Sequence, residues 1–135
     1  MKHIFALLFT TVLVLAFPAS ALAEGQAKPK ATKRGPVFHL VAFKFKADAT
    51  PAQIQQVEAA FAALPGKIPF IKSYKAGTNI SPEKFNKGFT HGFVLKFKNA
   101  SDRDAYLVHP AHKACGSLVG PVVDDVFVLD FQASK

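Results

Sequence analysis

The stretch that most constrains this chain is Val37–Lys46 (VFHLVAFKFK). In an extended strand, alternate side chains point to opposite faces. One face then carries Val37, His39, Val41, Phe43 and Phe45, and the other carries Phe38, Leu40 and Ala42 before Lys44 and Lys46. Both faces are apolar through most of the length, so a fold built on this strand has to cover both.

The following residues supply the cover. Thr50 has the character of an N-cap, with Pro51 at the first helical position and Gln53 closing a capping box. Ile54, Val57, Phe61 and Leu64 recur at helical spacing, and Pro65-Gly66 ends that helix. Ile68–Thr78 reads as a weaker strand whose Pro69, Lys72 and Lys75 suit a sheet edge. A polar loop over Asn79–Gly88 leads into a strong strand, Phe89–Lys98, with Phe89, His91, Phe93, Leu95 and Phe97 on one side. Asn99 or Ser101 can cap a short helix through about Val108. Pro110 breaks it and begins another over Ala111–Leu118, and Val126–Phe131 closes the series as a strand.

The order β-α-β-β-α-β predicts an α+β, ferredoxin-like fold, an antiparallel sheet with its helices on one face. The other face stays open. It is expected to carry His39, Val41 and Phe43, or their cross-strand equivalents, which are too apolar for water. A second copy packed sheet to sheet covers them. The sequence thus predicts a homodimer, a dimeric α/β barrel with a pocket in its interior.

Ahead of this domain the chain changes character. Met1–His3 is a basic start, Ile4–Phe17 is an almost uninterrupted apolar run, and Ala21-Leu22-Ala23 is an A-x-A cleavage site. That is the pattern of a secretory signal peptide over residues 1–23, cut after Ala23. The run is too short to span a bilayer comfortably, so no stable membrane insertion is expected after cleavage. The mature protein is expected to be secreted or periplasmic. Residues 24–36 (EGQAKPKATKRGP) have only Ala as apolar content and read as a basic flexible linker. Residues 37–135 then make one domain.

Charge and cysteine usage narrow the function classes. The net charge is +8, from 17 Lys and Arg against 9 Asp and Glu. Lys28, Lys30, Lys33 and Arg34 place much of it on the linker, leaving ordinary solubility charge on the domain. Lys87-Gly88-Phe89…Gly92-Phe93-Val94…Phe97 is reminiscent of an RNA-recognition segment. Its spacing reverses strand parity and scatters the aromatics over both faces, so no nucleic-acid partner is expected. A single cysteine, Cys115, excludes an internal disulfide framework and reads as a small packed hydrophobe.

Three segments carry a family resemblance: His39–Lys46 (HLVAFKFK), Gly88-Phe89-Thr90-His91, and Asp104–His112 (DAYLVHPAH), followed by Val128-Leu129-Asp130-Phe131. Together they resemble the stress-responsive dimeric α/β-barrel (Dabb) family over nearly all of Val37–Phe131. The Tyr-x-x-His-Pro-x-His run is the most specific part. The resemblance implies the same dimeric ferredoxin-like fold. It implies a mixed range of functions, from stress-associated proteins to a plant member that closes a ring on a linear polyketide. It also carries functional roles onto Tyr106, His112 and His39.

Those residues suit proton chemistry. Tyr106 and His112 lie six apart across the break at Pro110, which can turn both toward one cavity. A neutral imidazole can take a proton from a carbon beside a carbonyl, and a phenol can donate to the enolate oxygen that forms. His112 is therefore the candidate base and Tyr106 the candidate donor, with no cofactor required. His39, Val41, Phe43, His91 and Phe93 are the candidate ligand-binding residues. His91 at the centre of a strand is more often a satisfied core histidine than a site residue, His109 reads as a helix cap, and Tyr106 reads also as a simply buried ring. His109 and His112 lack a third converging ligand, so no metal site is assigned. Haem stays open by fold analogy alone. Two functional readings follow. One is a stress-response protein that binds a small hydrophobic or aromatic molecule. The other is a cofactor-independent cyclase or isomerase using His112 and Tyr106.

Overall fold

The computed structural model describes residues 35–133. The expected signal peptide (1–23), linker residues 24–34 and the last two residues lie outside the described residues.

The observed elements are β1 (Val37–Phe45), α1 (Pro51–Ala62), α2 (Leu64–Lys67), β2 (Ile71–Thr78), β3 (His91–Phe97), α3 (Ala100–Val108), α4 (Pro110–Val119) and β4 (Val123–Gln132). Local chemistry explains the boundaries. Thr50 Oγ1 accepts from the Gln53 backbone while the Gln53 side chain accepts from the Thr50 backbone, completing the capping box of α1. Pro65-Gly66 does not stop the chain outright but sits inside the one-turn α2. Asn99 caps α3 by accepting from the Asp102 N–H at 2.9 Å.

The strands form one sheet in the order β2-β3-β1-β4, every neighbouring pair antiparallel. This is the ferredoxin-like arrangement. The first strand lies in the interior of the sheet, and the more polar β2 lies at an edge.

One expectation is corrected. The face bearing His39, Val41 and Phe43 is not the open one; all three are buried beneath the helices. Both faces of β1 are apolar, so β1 alone does not decide which face meets the helices. Its neighbour does. Strand β3 sets Phe97, Leu95 and Phe93 opposite Val37, His39 and Val41, but only Lys96, Val94 and Gly92 opposite Phe38, Leu40 and Ala42. The helices bury most where the large side chains lie. Val57, Phe61 and Leu64 therefore pack onto Phe43 and Phe93, with the Phe61 and Phe93 rings 4.5 Å apart. The open face holds Phe38 and Leu40 with Phe127, Leu129 and Phe131 of β4, the last three each nearly half exposed. Phe38 stacks on Phe131 at 5.2 Å. Phe89, ahead of β3, turns to this side and meets Phe127.

Candidate functional site

A cavity of about 250 Å³ lies between the sheet and the helices, near the β4 edge. Its walls are largely apolar: Val41 and Phe43 of β1, Val126 and Val128 of β4, Phe61 of α1, and Val119 of α4. Its polar lining is His39, Tyr106 and His112, with Cys115 beside them. The cavity thus lies within one subunit, not between two facing sheets, because the His39 face is the one the helices cover, and it opens toward solvent past Val126, Val128 and Leu107.

The break between α3 and α4 builds the polar cluster. Proline disfavours helical backbone in the residue before it, and His109 is extended, with φ −65° and ψ 136°. The His109 ring accepts from the Ala111 N–H at 3.1 Å, capping α4 as the sequence predicts. On an uninterrupted helix, residues six apart face different ways. Across this break the Tyr106 and His112 rings meet at 4.4 Å, centroid to centroid. His39, from β1, meets the other side of Tyr106 at 5.6 Å.

Hydrogen bonds fix the two imidazoles. The His112 Nδ1–H donates to the Leu107 carbonyl at 3.1 Å, which leaves Nε2 as the basic nitrogen. The His39 Nδ1–H donates to the Asp130 carboxylate at 2.6 Å, again leaving Nε2. Asp130 is also paired with Arg103, which compensates its charge. Burial, reinforced by the nearby Arg103 guanidinium, pushes the His39 imidazole down to about 4. Burial also lowers His112, against the pull of its Leu107 hydrogen bond, and His39 adds to the lowering. Both rings are therefore neutral at pH 7.

Tyr106 is fully buried, and burial holds its phenol far above the ordinary range, so it stays protonated. Its hydroxyl has no hydrogen-bond partner among the described residues. A buried polar group without a partner costs about 1–3 kcal/mol, so its persistence calls for an explanation. The Cys115 thiol is raised by burial, opposed by Lys67, which disfavours the thiolate a nucleophile needs.

Of the sequence-predicted site residues, the fold gathers Tyr106, His112, His39, Val41 and Phe43 around one space. It places His91 and Phe93 elsewhere. The His91 ring stands edge-on to Phe45, with Thr90 Oγ1 at 2.9 Å and the Glu58 carboxylate at 3.6 Å. Phe93 is core, packed between Phe43 and Phe61. Asp130 and Arg103 are the residues that sequence reasoning missed. One signal was available for the first: in β4 a carboxylate shares strand parity with Val126 and Val128.

The geometry offers a donor without a partner beside a neutral base, in an apolar space. That combination can stabilise an oxygen gaining negative charge while moving one proton. Among the described residues no three His, Cys, Asp or Glu converge as a metal site would require.

Known proteins share this fold. The chain is 29% identical over 102 residues to the stress-response A/B barrel domain-containing protein HS1 of Arabidopsis thaliana, covering 76% of this chain and 94% of that protein. It is 26% identical over 99 residues to olivetolic acid cyclase of Cannabis sativa, covering 73% and 98%. Among solved structures, hydroxynitrile lyase from Passiflora edulis superposes with a TM-score of 0.71 at 25% identity, covering 76% of this chain and 96% of that one. A dimeric ferredoxin-like protein of unknown function from Thermobifida fusca gives 0.65 at 26% identity, covering 76% and 96%. The sequence model of the stress responsive A/B barrel domain matches residues 37–133, from the first residue of β1 to just past β4. A match spanning the whole sheet and all its helices settles kinship, and the chain belongs to the stress responsive A/B barrel domain (Dabb) family.

Proposed function

We propose that this domain binds a small, largely apolar or aromatic molecule in the cavity and makes or breaks a carbon–carbon bond beside one of its oxygens, without a cofactor. The reading rests above all on the buried Tyr106 hydroxyl, which lacks a partner among the described residues, in a side chain that lines a cavity together with two neutral imidazoles. A substrate oxygen supplies the missing acceptor. Tyr106 donates to it, His112 Nε2 moves the proton, and His39 Nε2 orients a second polar group. In ring closure, His112 takes a proton from the carbon next to a carbonyl. The enolate attacks a second carbonyl, and the imidazolium returns the proton to the new alkoxide. In the lyase direction, His112 takes a hydroxyl proton, the adjacent carbon–carbon bond breaks to leave a carbonyl, and the departing carbanion takes the proton back.

Two relatives of this fold are named for such chemistry, a cyclase and a hydroxynitrile lyase, which supports the reaction type. An exported chain is separated from thioester-bound polyketides of the cytoplasm, which favours a substrate that exists free. In this reading the protein is secreted or periplasmic after cleavage at Ala23 and serves a stress response. It is a homodimer closed over the apolar sheet face, as dimeric neighbours of the same fold suggest.

The test is an assay of the mature protein with an aromatic cyanohydrin, following aldehyde release, and with a linear triketide, following ring formation. Turnover lost in His112→Ala and Tyr106→Phe supports the reading. Thermal stabilisation by aromatic aldehydes with no turnover makes the site a binding pocket instead. Neither binding nor turnover, with the dimer intact, overturns both.

A further inference from the structure

The Asp130 carboxylate has both oxygens engaged. Oδ1 accepts from His39 Nδ1–H at 2.6 Å, and Oδ2 is paired with Arg103 Nη1. Arg103 Nε donates to Asp104 at 2.8 Å, so the guanidinium is tethered on its own helix as well. Arg103 precedes Tyr106 by three residues on α3, which puts both on one side of that helix, one turn apart. The Arg103 and Asp130 side chains are 22% and 28% exposed, while His39 is only 5% exposed. The charged pair stands behind the imidazole, outside the cavity lining, and His39 alone of the three lines the cavity.

We propose that Arg103 is a positioning residue: by occupying Asp130 it keeps His39 as the neutral Nδ1–H tautomer, so that the cavity presents an acceptor at His39 Nε2. The proposal deepens the proton-transfer reading of the cavity and rests on it. A carboxylate at hydrogen-bond distance ordinarily favours the imidazolium. An imidazolium at His39 would have two donors and no acceptor, and it would set a positive charge against His112. A guanidinium on the carboxylate's other oxygen cancels that drive while leaving the orienting hydrogen bond in place. The titratable and charged groups around His39 are Asp130 from β4, Arg103 and Tyr106 from α3, and His112 and Cys115 from α4, with Asp104 held on Arg103. Tyr106 and Cys115 are protonated and neutral, so Arg103 and Asp130 decide the local field.

The experiment follows the His39 ring nitrogens by 15N NMR from pH 4 to 8, with no substrate present, so its outcome is independent of whether any reaction is found. In the wild-type protein His39 is expected to remain a neutral Nδ1–H tautomer at pH 7. In Arg103→Met its titration midpoint is expected to rise by about one unit or more, a tenfold shift toward the imidazolium. Arg103→Lys keeps a cation beside Asp130 and should restore most of the wild-type behaviour. In an Asp130→Asn background, Arg103→Met should raise the midpoint by less, because only the guanidinium's own field on His39 is then removed. An unchanged midpoint in Arg103→Met overturns the proposal. So does an imidazolium at His39 in the wild-type protein at pH 7, a measurement that needs no variant to fold.

Discussion

The Tyr106 ring lies 4.4 Å from the His112 ring although six residues and a helix break separate them. The contact exists because Pro110 forces His109 out of helical backbone. The phenol thereby stands beside a basic nitrogen, and its own hydroxyl stays free of any described protein acceptor. The first three predictions follow from this cluster, and the fourth from the opposite face of the sheet.

His112→Ala removes the base. Turnover in the assay above is expected to fall by about 100-fold or more, the usual worth of a positioned general base. His112 is only partly buried and makes a single hydrogen bond to the Leu107 carbonyl, so the far-UV spectrum and the oligomeric state should not change. Activity equal to wild type would remove His112 from the mechanism.

Tyr106→Phe separates function from stability. The ring packs against Phe97 at 5.1 Å and His39 at 5.6 Å, and phenylalanine keeps those contacts. The lost hydroxyl has no described partner, so its removal relieves a desolvated group. The melting temperature is expected to stay level or rise, by up to about 1 kcal/mol of stability, while turnover falls. A large drop in melting temperature would mean that the hydroxyl is anchored and not waiting for substrate.

Acid should weaken both the fold and the site. Burial and Arg103 hold the His39 imidazole down at about 4 in the folded protein, below the 6.5 of a free imidazole, so the unfolded chain binds the extra proton first. Folding is then favoured above about pH 6.5, and that contribution is lost as the pH falls toward 4. The shift corresponds to something on the order of 3 kcal/mol. His112, also lowered, works in the same direction and sets the acid limb of activity below the usual imidazole midpoint. Thermal melts and kcat/KM from pH 8 down to 4 check this. A stability maximum near pH 5 would contradict it.

The open sheet face makes the dimer testable. Leu129 is 48% exposed in the single subunit, between Phe127 and Phe131 on the outer face of β4. Leu129→Asp places a charge where the second subunit would pack. It is expected to weaken the dimer at least tenfold, about 1.4 kcal/mol, by sedimentation velocity. Wild-type protein that sediments as a monomer at micromolar concentration would remove the dimer.

Much of this protein is local and therefore readable. The capping box at Thr50 and Gln53, the Asn99 and His109 caps, and the Pro110 break each depend on residues within a turn of one another. Strand parity likewise grouped His39 with Val41 and Phe43. Parity does not say which side of a sheet the helices choose. That choice depended on Phe93, Leu95 and Phe97 of β3 lying across from β1, a pairing between residues more than fifty positions apart. Parity alone therefore puts the pocket on the wrong side of the sheet, although His39, Val41, Phe43, Tyr106 and His112 do line one cavity.

Alternation, caps and helix breaks belong to the chain itself, because hydrogen bonds and side-chain directions within a few residues produce them. They determined the order of elements, while the family resemblance brought Tyr106, His112 and His39 forward as a group. Only tertiary structure decided which apolar face went under the helices, that His91 and Phe93 stand apart from the cavity, and that Asp130 and Arg103 back His39. Each of those outcomes rests on packing or charge between segments distant in sequence, where burial competes across the whole sheet at once.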